Sequence, residues 1–349
     1  MLAVTAAVLT ADGGAQHRVS NPHFGVSGGN VTNRSNAFCC SGTLGALVED
    51  TSGVQYILSN NHVLANSNNG RPGDDISQPG MIDTGCSVTP TMIVGDLTTF
   101  ASLNSNVDAA IAALRAGKMD STGHIEDIGV PSRTVAAPFV GQAVAKSGRT
   151  TGFTTGTVRS VNTDVNVQYQ EGCNKGRKFV VSFNDQVVIG GSSFSAGGDS
   201  GSLIVTNNSS HNPVGLLFAG SSTTTIANPI GEVLSKLGTA LGKGLRVTGS
   251  GTAPFSEFSA LSTDEIARGT RAKEAHARRL MANPAIFGVG VGEDPNSPGQ
   301  AAVVIYAQRG LARAAIARDL DGVATVVIET DPIVAYGWNE PAGQTCSVR

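Results

Sequence analysis

Apolar residues in this chain come in short runs, each cut off by a cluster of Gly, Asn, Asp or Pro, and that punctuation limits what it can fold into. Runs such as Val54 to Leu58 and Val107 to Leu114 have the length of strands, while Asn66-Ser-Asn-Asn-Gly-Arg-Pro-Gly-Asp-Asp75 is turn chemistry throughout. Forty-four glycines among 349 residues, together with many Ser, Thr and Asn, supply the tight turns that short strands need. The expected class is mainly β. The length suffices for a sizeable core and for two domains. No apolar run approaches bilayer thickness, so no membrane span is expected.

Charge narrows the function classes. Charged residues make up 15% of the chain and the formal net charge is -3, which gives no electrostatic case for nucleic acid or an anionic membrane as partner. The first residues, Met1-Leu-Ala-Val-Thr-Ala-Ala-Val-Leu-Thr10, are apolar but lack a basic start, so residues 1–20 read as a leader or an arm. Five cysteines (Cys39, Cys40, Cys86, Cys173 and Cys346) cannot all pair within one chain. They show no Cys-x-x-Cys spacing and the histidines are not paired, so zinc is not expected. Asp74 and Asp75 could bind calcium but read first as a solvated loop, and no metal or cofactor is expected.

Three segments carry chemistry. Phe194-Ser-Ala-Gly-Gly-Asp-Ser-Gly-Ser-Leu203 sets Ser200 on a glycine-rich turn just before an apolar strand. A serine hydroxyl needs a base to take its proton and N–H groups to hold the oxyanion that follows. Taken alone, the segment also reads as a surface turn. Upstream, Tyr56-Ile-Leu-Ser-Asn-Asn-His-Val-Leu-Ala65 places His62 directly after an apolar run. In Asn106-Val-Asp-Ala-Ala-Ile-Ala-Ala-Leu114 one carboxylate, Asp108, enters an apolar strand, where an unpaired charge is costly. An imidazole N–H is a suitable partner for it.

The order His62, Asp108, Ser200 and the local sequence at each site resemble the trypsin-like (chymotrypsin-fold) serine proteases of bacterial type over roughly residues 20–245. The resemblance implies a serine endopeptidase acting on a polypeptide substrate. Ser200 is then the nucleophile, His62 the general base and acid, and Asp108 the orienting carboxylate. The N–H groups of Gly198 and Ser200 form the oxyanion hole. Phe194 lies at the base of the pocket for the substrate side chain, and Phe218-Ala-Gly220 lines its wall and holds substrate backbone. With no carboxylate at Phe194, the expected preference is for apolar or small side chains before the scissile bond. In that family a cysteine often bridges across the histidine loop. None follows His62 here, so a bond from Cys39 or Cys40 to Cys86 is expected, with buried free thiols the other reading. Asp199 in animal relatives pairs with a new amino terminus; no activation site of that kind is visible, and its partner is left open.

In chain order, Gly42 to Val48, Val54 to Leu58, Met92 to Thr99 and Val107 to Leu114 read as strands of a first antiparallel β-barrel over 21–115. A linker follows to residue 135. Val140 to Lys146, Gly152 to Val161, Val165 to Tyr169, Phe179 to Ile189, Ser202 to Val205 and Val214 to Ala219 then form a second barrel over 136–228. Two barrels of six-stranded type are expected. Ile230, Val233, Leu234, Leu237 and Leu241 share one helical face, so a closing helix is expected over 229–242.

Beyond the protease domain at 21–250, residues 251–349 read as a small α+β (ferredoxin-like) domain. Ser262-Thr-Asp-Glu265 is a capping-box pattern that opens a helix to about Ala282. Strands at 285–292, 301–307, 325–329 and 333–336 and a short helical stretch at 312–318 follow. This domain carries no catalytic constellation, and its role as inhibitor, folding aid or partner-binding module is open. The competing reading of the whole chain is a trypsin-like fold that binds without turnover. Low charge and abundant Asn, Ser and Thr point to a secreted or extracytoplasmic enzyme, with a cytoplasmic one the other reading.

Overall fold

Among the described residues fourteen strands precede residue 250, most of them short, as the punctuated sequence requires. A computed structural model describes residues 15–17, 21–35, 38–173, 176–191, 193–251, 259–311 and 316–335. The leader region thus lies largely outside the described residues, as do Cys346 and most of the expected helical stretch at 312–318.

The first half contains β1 (Val26–Asn30), β2 (Gly42–Leu44), β3 (Ala46–Asp50), β4 (Gln55–Ser59), β5 (Asp75–Ser77), β6 (Ile93–Phe100) and β7 (Ala110–Leu114). The second half contains β8 (Ala143–Lys146), β9 (Thr154–Gln170), β10 (Lys178–Gly190), β11 (Leu203–Thr206), β12 (Pro213–Gly220) and β13 (Thr224–Pro229). Helix α2 (Ile230–Leu241) then leads to β14 (Leu245–Val247). The first sheet runs β14-β3-β4-β7-β6-β5-β1-β2 and is antiparallel. In the second sheet β10 pairs both β13 and β9, so β8 to β13 close into a ring of six antiparallel strands. The described chain is therefore mainly β, built on an eight-stranded antiparallel sheet and a six-stranded antiparallel ring in the manner of a chymotrypsin-like double barrel.

The first sheet curls around an apolar cluster that Leu203, Val205 and Leu216 of the second also enter, and the second sheet packs further clusters of its own. Leu44, Leu47, Ile57, Leu58, Ile76 and Ile111 fill the first, and Ile230, Val233 and Leu237 of α2 seal it. The helix sits where its apolar face predicts, and it stops at Gly242, whose φ of 73° is the left-handed conformation that ends helices. Strand β9 joins into one the two strands expected at 152–161 and 165–169, and its buried positions alternate with half-exposed ones for most of its length.

The carboxy-terminal segment consists of α3 (Thr263–Met281), β15 (Ile286–Glu293), β16 (Ala301–Gln308), β17 (Asp319–Leu320), β18 (Val323–Thr330) and β19 (Val334–Ala335). Ser262 caps α3 by accepting from the Glu265 N–H at 3.2 Å, while Glu265 turns its carboxylate to Arg268 and to the Ala301 N–H. Strands β15, β16 and β18 with α3 form the α+β unit, yet its sheet does not stand apart. Strand β15 pairs antiparallel with β9, from Gly288 opposite Val165 to Gly292 opposite Ser160, so one sheet runs from the barrel into the terminal unit. Strand β19 returns to the barrel and lies between β12 and β9.

Candidate active site

Strand β4 ends at Ser59, and Asn60 starts a single helical turn, α1 (Asn61–Leu64), which carries His62. The ring is only 2% exposed. Its Nδ1 lies 2.6 Å from Asp108 Oδ2, and its backbone N–H donates to Asp108 Oδ1 at 3.1 Å. One carboxylate therefore grips both the ring and the main chain of one residue, which fixes where the imidazole can point.

Asp108 precedes β7 and is fully buried. An isolated carboxylate there would be costly, and the structure surrounds it with partners. Tyr169 of β9 donates its hydroxyl to Oδ2 at 2.8 Å. The Asp108 N–H donates to Asn228 Oδ1 at 2.9 Å, and the Asp108 carbonyl accepts from Asn60 Nδ2 at 2.7 Å. Burial first, and then the neighbouring Asp108 charge, push the Tyr169 hydroxyl well above the ordinary tyrosine range. Tyr169 and Asn228 belong to the second barrel and Asp108 to the first, so the carboxylate is held across the junction.

Ser200 lies on the turn before β11, and its Oγ donates to the Phe218 carbonyl at 3.4 Å. The Thr43 N–H donates to the Ser200 carbonyl at 2.8 Å and Thr43 Oγ1 to the Gly198 carbonyl at 2.9 Å. A Cβ on Gly42 would lie 2.6 Å from Val63 Cγ2 and 2.8 Å from the Ser200 carbonyl. The turn bearing Ser200 and the helical turn bearing His62 thus approach to the width of one glycine.

The same turn fixes its own N–H groups. The Gly197 carbonyl accepts from Thr150 Oγ1 at 2.6 Å, and the Asp199 carbonyl accepts from the Ser202 N–H and Oγ. Because a trans peptide sets N–H opposite C=O, these bonds turn the Gly198 and Ser200 N–H groups away from those partners. Gly198 has φ +97°, and a Cβ there would lie 2.3 Å from Thr150 Oγ1, so only glycine fits.

Asp199, whose partner the sequence left open, is satisfied within the fold. It accepts from the N–H groups of Thr150, Thr151 and Ala196 at 2.8, 3.1 and 2.9 Å and from Thr151 Oγ1 at 2.7 Å. The fully buried Lys146 ammonium stands 3.7 Å away. Burial holds that ammonium below the usual lysine range, and Asp199 offsets part of the shift. Lys146 also donates to the Gly152 carbonyl at 2.7 Å.

The expected specificity residues divide. Phe194 is buried with Val158, Ile189, Val214 and Leu217, and Lys146 Nζ lies 5.9 Å from its ring centre. The Phe218 side chain packs on Phe183 at 4.8 Å between ring centres. A cavity of about 380 Å³ opens between Gly197, Gly220 and Ser221 on one side and Val334 and Ala335 on the other; of the expected pocket residues it is lined by Gly220 alone. Two disulfides, Cys39–Cys86 and Cys40–Cys173, join the chain before β2 to the loop after β5 and to the end of β9. The first is a pairing the sequence anticipated; the second was not foreseen.

Sequence reasoning missed Tyr169, Asn228, Thr43, Lys146 and the Thr150-Thr151 pair. Tyr169 alone left a signal, as the polar tip on a strand otherwise alternating Val with polar residues.

A family model described as the Nal1 C-terminal domain matches residues 84–228. No curated protein matches the chain. Among solved structures, a glutamic-acid-specific serine protease reported to use a histidine triad in substrate binding is 24% identical, covering 64% of this chain and 98% of its own, with a TM-score of 0.43. Thermobifida fusca protease A is 18% identical over 66% of this chain and 100% of its own, also at 0.43. A Cellulomonas bogoriensis chymotrypsin is 20% identical over the same shares, again at 0.43.

Proposed function

We propose that this chain is a serine endopeptidase in which Ser200 attacks a peptide carbonyl, His62 moves the proton and Asp108 orients His62. The observation that carries the reading is the buried pair of His62 Nδ1 and Asp108 Oδ2 at 2.6 Å. That bond fixes the tautomer in which Nδ1 holds the proton and Nε2 is the base, and it stabilises the imidazolium formed when Nε2 is protonated. In the first half-reaction Ser200 Oγ bonds to the carbonyl carbon and its proton passes to Nε2. The C–N bond then breaks as Nε2 returns the proton to the leaving amine. Water, deprotonated by the same nitrogen, releases the acid and restores the hydroxyl.

The N–H groups of Gly198 and Ser200 receive the oxyanion, at about 3 kcal/mol of transition-state stabilisation for each donor. The main chain of Phe218 to Gly220 holds substrate backbone. The absence of a carboxylate at Phe194 supports cleavage after apolar or small residues. Two disulfides support an oxidising, extracytoplasmic setting.

The test is covalent labelling with a fluorophosphonate followed by peptide mapping. A label on Ser200 that is lost in Ser200→Ala and in His62→Ala supports an endopeptidase. Absence of label on the folded protein favours a fold that binds without turnover.

A further inference from the structure

The end of the described chain occupies the place where the proposed enzyme needs its substrate. Along one flank of β12 the partners come in a fixed order. Strand β11 pairs as far as Leu203 opposite Leu216, the Gly201 N–H donates to the Leu217 carbonyl at 2.8 Å, and Ser200 Oγ reaches the Phe218 carbonyl. The next two positions, Ala219 and Gly220, are taken by β19, antiparallel, with Ala335 opposite Ala219 and Val334 opposite Gly220. A strand in that orientation runs from Gly220 back towards Phe218, hence towards Ser200.

The segment is firmly seated. Ile333 is 1% exposed and Ala335 fully buried. The Gln168 N–H of β9 donates to the Ile333 carbonyl at 2.9 Å, so main-chain bonds come from both sides. Upstream, Thr330 Oγ1 lies 2.6 Å from Ser221 Oγ, and Asp331 accepts from Ser222 Oγ and from Arg309. These anchors tie the segment to the loop that directly follows β12.

We propose that Ile333–Ala335 is a built-in occupant of the substrate cleft: it takes the backbone edge of Ala219 and Gly220 that a peptide must pair with, and so holds the enzyme self-inhibited towards extended substrates. This inference rests on the reading of Ser200 as nucleophile. An extended peptide adds to an open strand edge through main-chain bonds, and that edge is already filled here by main-chain bonds of the same type. The occupant also indicates which substrates compete for the edge: extended peptides with a β-branched residue followed by a small one, as in Val334-Ala335.

Two readouts separate this inference from the reading beneath it. Diisopropyl fluorophosphate reports on Ser200 without needing the backbone edge, whereas hydrolysis of succinyl-Ile-Val-Ala-Phe p-nitroanilide needs both. The full chain is compared with Val334→Pro, which removes an N–H within β19, and with Asp331→Ala, which loosens an exposed anchor and leaves the strand sequence intact. We expect equal labelling rates in all three proteins, with kcat/KM for the anilide raised about tenfold in Val334→Pro and severalfold in Asp331→Ala, as the fraction of molecules with a free edge rises. Equal labelling with unchanged hydrolysis in both variants overturns the inference and makes β19 a structural strand only. No labelling in any protein overturns the reading of Ser200, and the inference falls with it. If Val334→Pro alone loses its label through misfolding, the Asp331→Ala result decides.

Discussion

Tyr169 donates its hydroxyl to the same oxygen of Asp108 that pairs with His62 Nδ1, at 2.8 Å from one barrel while the histidine sits 2.6 Å away on the other. Removing this hydroxyl takes a hydrogen bond from a buried carboxylate, a loss of about 1.5–3 kcal/mol. Tyr169→Phe keeps the ring stacked on Phe179 and so isolates the bond. The expected result is kcat for peptide hydrolysis down about tenfold with KM unchanged. A general structural defect would move KM and folding stability as well.

Asp199 and Lys146 should respond unequally to substitution. Lys146→Met leaves Asp199 with three N–H donors and a hydroxyl, so the expected cost in urea unfolding is about 1–3 kcal/mol. Asp199→Asn instead leaves a buried ammonium without its countercharge, and about 3–5 kcal/mol is expected. The same arrangement predicts that the site forms without proteolytic release of a new amino terminus. Protein carrying an amino-terminal tag should therefore label at Ser200 as fast as tag-free protein.

Gly198→Ala tests the oxyanion donors. The backbone at φ +97° disfavours any Cβ, and Thr150 Oγ1 stands 2.3 Å from where it would sit. Relief of that clash must rotate the Gly198 peptide and misdirect its N–H. We expect kcat lower by about 10² to 10³, with little change in KM, in steady-state peptide hydrolysis.

Alkaline pH should unfold the protein through its buried tyrosines. Burial, then Asp108, raises the Tyr169 hydroxyl well above its ordinary range, and burial raises that of Tyr306, which lies against Ser160 at 2.7 Å. Between about pH 10 and their native values, the unfolded chain has lost these protons and the native one retains them. Their contribution to stability is complete below about pH 10 and declines as pH rises further. Absorbance at 295 nm should show these phenols ionising only together with the loss of near-ultraviolet circular dichroism; ionisation of all four tyrosines in folded protein would refute this.

Much of the frame was legible in the chain. Apolar runs marked β10, and marked β9 as two strands where the structure has one, while the apolar stripe of α2 gave that helix its limits. A lone carboxylate in an apolar run marked Asp108, which the structure places on His62. Strand β1, Val-Ser-Gly-Gly-Asn, was not legible: its residues are small and polar, and its burial comes from the strands on either side. Strand β13 hid in the same way, because Thr224 and Thr225 are buried by tertiary contacts alone. The partners of Asp199 were invisible since most are main-chain N–H groups, which every sequence contains. Phe194, expected at the base of a substrate pocket, is buried with Val158 and Ile189 and does not line the cavity at Gly197 and Gly220, so its role there rests on the resemblance alone.

The ladder between β9 and β15 means that the two halves share one border. A chain cut at residue 250 would leave the Ser160 to Val165 flank of β9 with bare amides and carbonyls, an invitation to any other strand in solution. The terminal unit therefore shields the barrel from aggregation as well as adding to it, and both should melt in a single cooperative step.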